Sequence, residues 1–180
     1  MDTKKKQILI DEIEAFIFDF DGVLTNNVVH IDQDGKELVS CSRADGLAFD
    51  LLRKVGKPVY ILSTEKNYVV EARANKLRVP VLNGVNNKVK SLEDLANSEG
   101  FDLSSIFYVG NDLNDYYVMK LCGYTACPSD SHFRIKEISD VVLKTPGGGG
   151  IVRELLEDVF NIDFISSFLL RFFLTFLPII

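Results

Sequence analysis

The chain has 180 residues, 47% hydrophobic and 26% charged, which suits one domain with a sizeable core and excludes a disordered segment. Its formal net charge of −6 excludes a nucleic-acid-binding surface, since phosphate backbones call for basic patches and Lys4-Lys5-Lys6 is one short run. Cys41, Cys122 and Cys127 match no CxxC spacing and are an odd number for disulfides, so a reduced, cytoplasmic protein is expected.

No apolar stretch precedes Ile8, so the basic N-terminus does not read as a secretory signal. Short apolar runs at 16–20, 59–62, 79–82, 106–109, 124–126 and 141–143 have the length of strands in a covered parallel sheet. Between the first two, Ala44, Leu47, Ala48, Leu51, Leu52 and Val55 repeat at helical spacing, and Gly56 and Pro58 stop the pattern. Weaker helical patterns occupy 67–78, 87–98, 114–122 and 151–160. This βαβα order predicts an α/β fold, a doubly wound parallel sheet with helices on both faces.

The stretch 28–41, VVHIDQDGKELVSC, departs from that order: β-branched and apolar residues flank Asp34-Gly35, a strong hairpin-turn signal. A β-hairpin should project directly after Asp19 and Asp21. Pro146 and the four glycines at 147–150 form a flexible loop that either joins elements or approaches a ligand closely. The one domain is expected to span 1–160. The apolar tail 161–180 is interrupted by Arg171, stopped by Pro178 and too short for the roughly 20 apolar residues of a membrane span. It suits an oligomer interface better than a membrane surface.

Ligands of an open parallel sheet bind outside the carboxyl ends of its strands. A lone Asp-x-Asp there is as readily a pair of surface acids. Here Asp19 and Asp21 share that edge with Ser63, with Lys88 at a helix start, and with the Gly-Asn-Asp-Leu-Asn-Asp run from 110 to 115. Carboxylates, a hydroxyl and an ammonium together can handle a phosphoryl group with a divalent cation.

In order, FDFDGVLT (18–25), Ser63, Lys88 and GNDLND (110–115) resemble the four motifs of the haloacid dehalogenase superfamily of phosphohydrolases. The resemblance implies Asp19 as nucleophile, Asp21 as general acid and base, Ser63 and Lys88 as phosphate ligands, and Mg2+ held by Asp19, Asp21, Asn111 and Asp112. Little more than a hairpin and a helix separates Asp19 from Ser63, and one βα unit separates Ser63 from Lys88, so there is no room for a cap domain. With the hairpin, Arg43-Ala44-Asp45-Gly46 and the 148–154 stretch, the chain is similar to the capless subgroup of sugar-acid phosphatases. That subgroup includes phosphatases of 3-deoxy-manno-octulosonate 8-phosphate, a lipopolysaccharide sugar, and of nine-carbon sugar acids of the sialic type, and its members assemble as homotetramers through the hairpins.

The same resemblance assigns Thr25, Asp45, Glu65, Arg73 and Lys76 to substrate, and Glu65, where eight-carbon enzymes tend to have Arg, favours the nine-carbon acids. A solvent-facing ion-pair helix explains Arg73 and Lys76 almost equally well. The family usually has Asp where this chain has Asn111, which removes one negative charge from the metal site. That departure leaves open a non-catalytic oligomerisation or regulatory module tied to CMP-sialic acid synthesis. A receiver-type phosphoacceptor is disfavoured, because its phosphorylated Asp stands at a later strand end. His30, His132, Tyr116 and Tyr117 read as structural.

Overall fold

The computed structural model describes residues 8–166. Its strands are β1 (Ala15–Phe18), β2 (His30–Ile31), β3 (Glu37–Leu38), β4 (Val59–Leu62), β5 (Val81–Leu82), β6 (Ile106–Val109), β7 (Tyr124–Cys127) and β8 (Val141–Val142). Six of them form one parallel sheet in the order β5-β4-β1-β6-β7-β8, while β2 and β3 pair separately as the antiparallel hairpin. The helices are α1 (Arg43–Lys54), α2 (Tyr68–Leu77), α3 (Lys88–Glu99), α4 (Tyr116–Met119), α5 (Phe133–Ile138) and α6 (Ile151–Glu154).

Winding runs outward from β1 through β4 to β5, then returns across β1 to β6, so the switch of direction falls beside β1, where a ligand cleft is expected. Only the hairpin and α1 lie between β1 and β4, and only α2 and β5 between β4 and α3, so the core carries no cap.

Alternation along the strands sorts the core into two layers. Phe16, Phe18 and Phe107 face one way, against Phe49 and Leu52 of α1 and Ile151 and Val152 of α6. Ile17 and Tyr108 face the other, against Leu92 and Ala96 of α3 and Val118 and Met119 of α4. Continuing that alternation past Phe18 puts Asp19 on the face covered by α3, which Lys88 opens.

Four differences from the sequence reading have physical causes. The buried stripe of α1 is turned toward Phe49, which meets Phe18 edge-on at 5.4 Å, leaving Leu47 and Val55 45% and 46% exposed. β5 begins after Pro80, which has no N–H for the ladder and contributes only its carbonyl, to Ile61 N. The first strand stops at Phe18, and Phe20 turns into the core, its carbonyl accepting Leu24 N and Thr25 N. The helical patterns at 114–122 and 151–160 are realised as shorter helices, α4 and α6, joined to a 3-10 turn (Leu113–Asp115) and a π-helical turn (Leu155–Val159) respectively.

The hairpin forms where Asp34-Gly35 placed it, with His30 opposite Leu38 and the Asp32 carboxylate accepting Asp34 N and Lys36 N. Most of the apolar tail lies outside the described residues. Of its described part, 161–166, Phe164 is buried under the Arg153 guanidinium, 4.2 Å from the ring centre. Among the described residues no helix is long and apolar enough to cross a membrane.

Candidate active site

Asp19 continues β1 by one hydrogen bond, its N–H donating to Val109 O at 2.9 Å, and is 3% exposed. Lys88, the first residue of α3, is 4% exposed and brings Nζ within 2.8 Å of Asp19 Oδ1 and 2.7 Å of Asp115 Oδ1. Asp115 is fully buried and saturated. Oδ1 also accepts the Tyr108 hydroxyl at 2.9 Å, and Oδ2 accepts Asn111 N at 2.9 Å and Asp112 N at 3.4 Å. It therefore ties the Lys88 ammonium to the loop after β6, with no lone pair to spare for a metal.

Burial, and then the charge of Asp115, push the Asp19 carboxyl well above its ordinary value, with Lys88 pulling it back. Burial alone would lower Lys88, but the Asp19 and Asp115 carboxylates outweigh it and raise its pKa. The pair is an ammonium shared between two acids, an excess of negative charge that a divalent cation would relieve. Half-buried Asp21 is also raised, by burial first and by Glu65 next, which suits a carboxyl that must carry a proton.

Asp21 stands at the start of a turn closed by Thr25, whose Oγ1 accepts Gly22 N at 3.1 Å and Asn27 N at 3.2 Å. Gly22 has φ +80°, and a Cβ there would fall 1.9 Å from the Asn111 Nδ2. The Asn111 amide thus occupies the space a side chain at 22 would need. Its Oδ1 is buried with no hydrogen-bond partner, an acceptor that burial should not leave empty. With Asp19 and the loop at Asp21 it forms an all-oxygen donor set, the chemistry of a hard divalent cation. Among the described residues no three His, Cys, Asp or Glu side chains suffice for a metal, so the amide oxygen is part of the fit.

A cleft of about 320 Å³ opens on this edge, lined by Asp19, Asp21, Asn27, Ser63, Asn111 and Asn114, with Thr64, Asp112 and Leu113 beside them. Ser63 Oγ accepts Glu65 N at 3.1 Å, leaving its hydroxyl proton for a ligand. Asp112 lies on the rim, and its Oδ1 caps the following turn at Leu113 N, 2.7 Å away.

The expected substrate residues are dispersed. Thr25 is fully buried in the catalytic turn, and Asp45, 1% exposed, accepts Val152 N of α6. Glu65 Oε1 accepts Lys66 N and Asn67 N ahead of α2, Arg73 donates to Ser42 O at 2.7 Å, and Lys76 is exposed on α2. None of the five lines the cleft. Tyr108 escaped the sequence reading because it sits in an apolar strand run. Asn27 also escaped it; it adopts φ +60°, a conformation Asn tolerates better than most residues, just past the catalytic turn.

A buried carboxylate and ammonium at the switch point of a parallel sheet, beside an orphaned oxygen, define a hydrolase built to handle phosphoryl groups. Residues 60–155 match the haloacid dehalogenase-like hydrolase family. The chain belongs to that family. It is 30% identical over 148 residues to the 3-deoxy-D-manno-octulosonate 8-phosphate phosphatase KdsC of Escherichia coli, covering 82% of this chain and 79% of that one, which classes it with the phosphoric monoester hydrolases. A haloacid dehalogenase family hydrolase from Streptomyces avermitilis superposes with a TM-score of 0.83 at 39% identity, over 85% of this chain and 88% of the other. The 3-deoxy-D-manno-octulosonate 8-phosphate phosphatase of Moraxella catarrhalis, solved with magnesium, phosphate and the sugar acid, superposes at 0.82 with 26% identity over 89% of this chain and 94% of the other.

Proposed function

We propose that this enzyme is a Mg2+-dependent phosphatase of a phosphorylated 2-keto-3-deoxy sugar acid. The observation that carries it is the buried Asp19–Lys88–Asp115 cluster opening on the orphaned Asn111 oxygen. The kinship with sugar-acid phosphatases supports the substrate class. Glu65 favours a nine-carbon acid 9-phosphate over the eight-carbon 8-phosphate.

Asp19, Asp21 and Asn111 would hold the cation, with Asp112 on the rim; when bound, it supplies the positive charge that lets an anionic carboxylate approach an anionic ester. Asp19 attacks phosphorus in line, forming an aspartyl-phosphate while the sugar oxygen departs with a proton from Asp21. Asp21 then takes a proton from the water that hydrolyses the acyl phosphate. Lys88 offsets charge on Asp19 and the phosphoryl oxygens, and the Ser63 hydroxyl orients the group.

The cleft is open, and the hairpin beside it exposes Ile31 and Leu38 at 69% and 61%, which supports a homotetramer that buries them and brings Glu65, Arg73 and Lys76 toward a neighbouring site. Three free cysteines support a cytoplasmic setting. The neutral Asn111 ligand favours one competing reading, a non-catalytic module of CMP-sialic acid synthesis. Phosphate release from both sugar-acid phosphates, with and without Mg2+, tests the proposal: Mg2+-dependent turnover of either supports the phosphatase. None from a folded protein that also fails to bind Mg2+ in calorimetry supports the module.

A further inference from the structure

Among the described residues, Asp45 is the one carboxylate outside the catalytic cluster that is buried. It belongs to the first turn of α1, yet its Oδ1 accepts Val152 N at 2.9 Å and Arg153 N at 3.4 Å, the opening N–H groups of α6. α6 has no side-chain cap of its own, since Gly150 precedes it. Asp45 supplies that cap from across the molecule.

The capped helix is the far anchor of the glycine loop 147–150. At the near anchor, Gly147 N donates to Asp130 Oδ1 at 2.9 Å. Between the anchors the loop lies against the back of the turn that follows Asp21. Gly148 N donates to Val23 O at 3.0 Å. A Cβ on Gly147 would fall 2.2 Å from Gly22 O, and one on Gly148 2.6 Å from Asn26 N, so backbone meets backbone with no slack. The two catalytic acids are therefore supported differently. Asp19 is held by β6 and Lys88, whereas the turn after Asp21 rests on this loop.

We propose that Asp45 is a positioning residue that acts through the glycine loop to set Asp21, while leaving Asp19 in place. The inference rests on the phosphatase reading and on Asp21 as its proton carrier. A leaving group that needs no proton isolates the first step: nitrophenolate departs from p-nitrophenyl phosphate on attack by Asp19 alone, whereas a sugar alkoxide needs the acid.

The experiment compares wild type, Asp45→Ala, Asp45→Asn and Gly148→Ala, each confirmed folded by circular dichroism, on p-nitrophenyl phosphate in rapid-mixing burst assays and on the sugar-acid phosphate at steady state. At Mg2+ concentrations that saturate each variant, the nitrophenolate burst rate of Asp45→Ala and Gly148→Ala is expected to stay within about twofold, while kcat on the sugar phosphate falls by roughly 10- to 100-fold with KM little changed. Asp45→Asn, which keeps an Oδ1 acceptor for the α6 N–H groups, should recover most of that loss. Equal losses in burst and sugar-phosphate turnover, no loss in either, or a Gly148→Ala pattern unlike that of Asp45→Ala would overturn the inference. A wild type with no Mg2+-dependent release of nitrophenolate or of phosphate from the sugar-acid phosphates, at any stage of the time course, would instead overturn the phosphatase reading beneath it.

Discussion

Replacing Asp45 by asparagine should stabilise the protein above neutral pH. Burial raises the Asp45 carboxyl from 3.8 to about 6, against the pull of the Val152 and Arg153 N–H groups and the Arg73 and Arg153 guanidinium charges. A raised acid pKa means the fold favours the protonated form. The associated stability is complete below about 3.8 and is lost as pH rises through about 6. The whole shift, about 2 pKa units, corresponds to about 3 kcal/mol, and because Asp45 is 1% exposed solvent screening takes little of it away. Linkage between those two values places roughly half of the loss below pH 5 and the rest, on the order of 1 kcal/mol, between pH 5 and pH 8.

Asparagine never ionises, so its stability relative to wild type should rise by that amount, or a few degrees in Tm, over the same interval. Urea unfolding of both proteins at pH 5, 6, 7 and 8 measures this, and the difference between them cancels distant titrating groups. A gap that stays flat or narrows with pH would refute the argument and show that the guanidinium groups, not burial, govern Asp45.

Asp19→Asn should abolish turnover and leave the circular dichroism spectrum unchanged; a fully active variant would remove the nucleophile assignment. Asn111→Asp restores a negative donor in the same volume and is expected to lower the half-saturating Mg2+ concentration by about tenfold in titrations followed by activity and by calorimetry. Tyr108→Phe strips one donor from the saturated Asp115, with a loss of about 1–3 kcal/mol in denaturant unfolding and a lower kcat at unchanged KM.

Much of the architecture was legible because local pattern and tertiary role agree. β4 and β6 fall on 59–62 and 106–109 because those runs are bounded by residues that cannot continue a covered strand. The hairpin turn is written in Asp34-Gly35, and the strand ends gather Asp19, Asp21, Ser63 and Asn111 on one edge, with Lys88 joining them from α3. What stayed hidden depends on long-range partners. Nothing near Asp45 announces a cap for a helix that starts more than a hundred residues later. The Tyr108 hydroxyl is invisible in a run whose other members are apolar. Arg73 and Lys76 share a helix face in projection, yet Arg73 is drawn to the Ser42 carbonyl while Lys76 stays in solvent.

The contact between Gly22 and Asn111 makes two distant loops heirs to a single volume. A scan that changes one position at a time would score residue 22 as intolerant, and much of that score would belong to the amide opposite it. Only in a background with a small residue at 111 would the backbone preference of the turn be read alone. A side chain at 22 needs a smaller neighbour at 111 as well as a backbone that tolerates φ +80°, so position 22 can change only after 111 has.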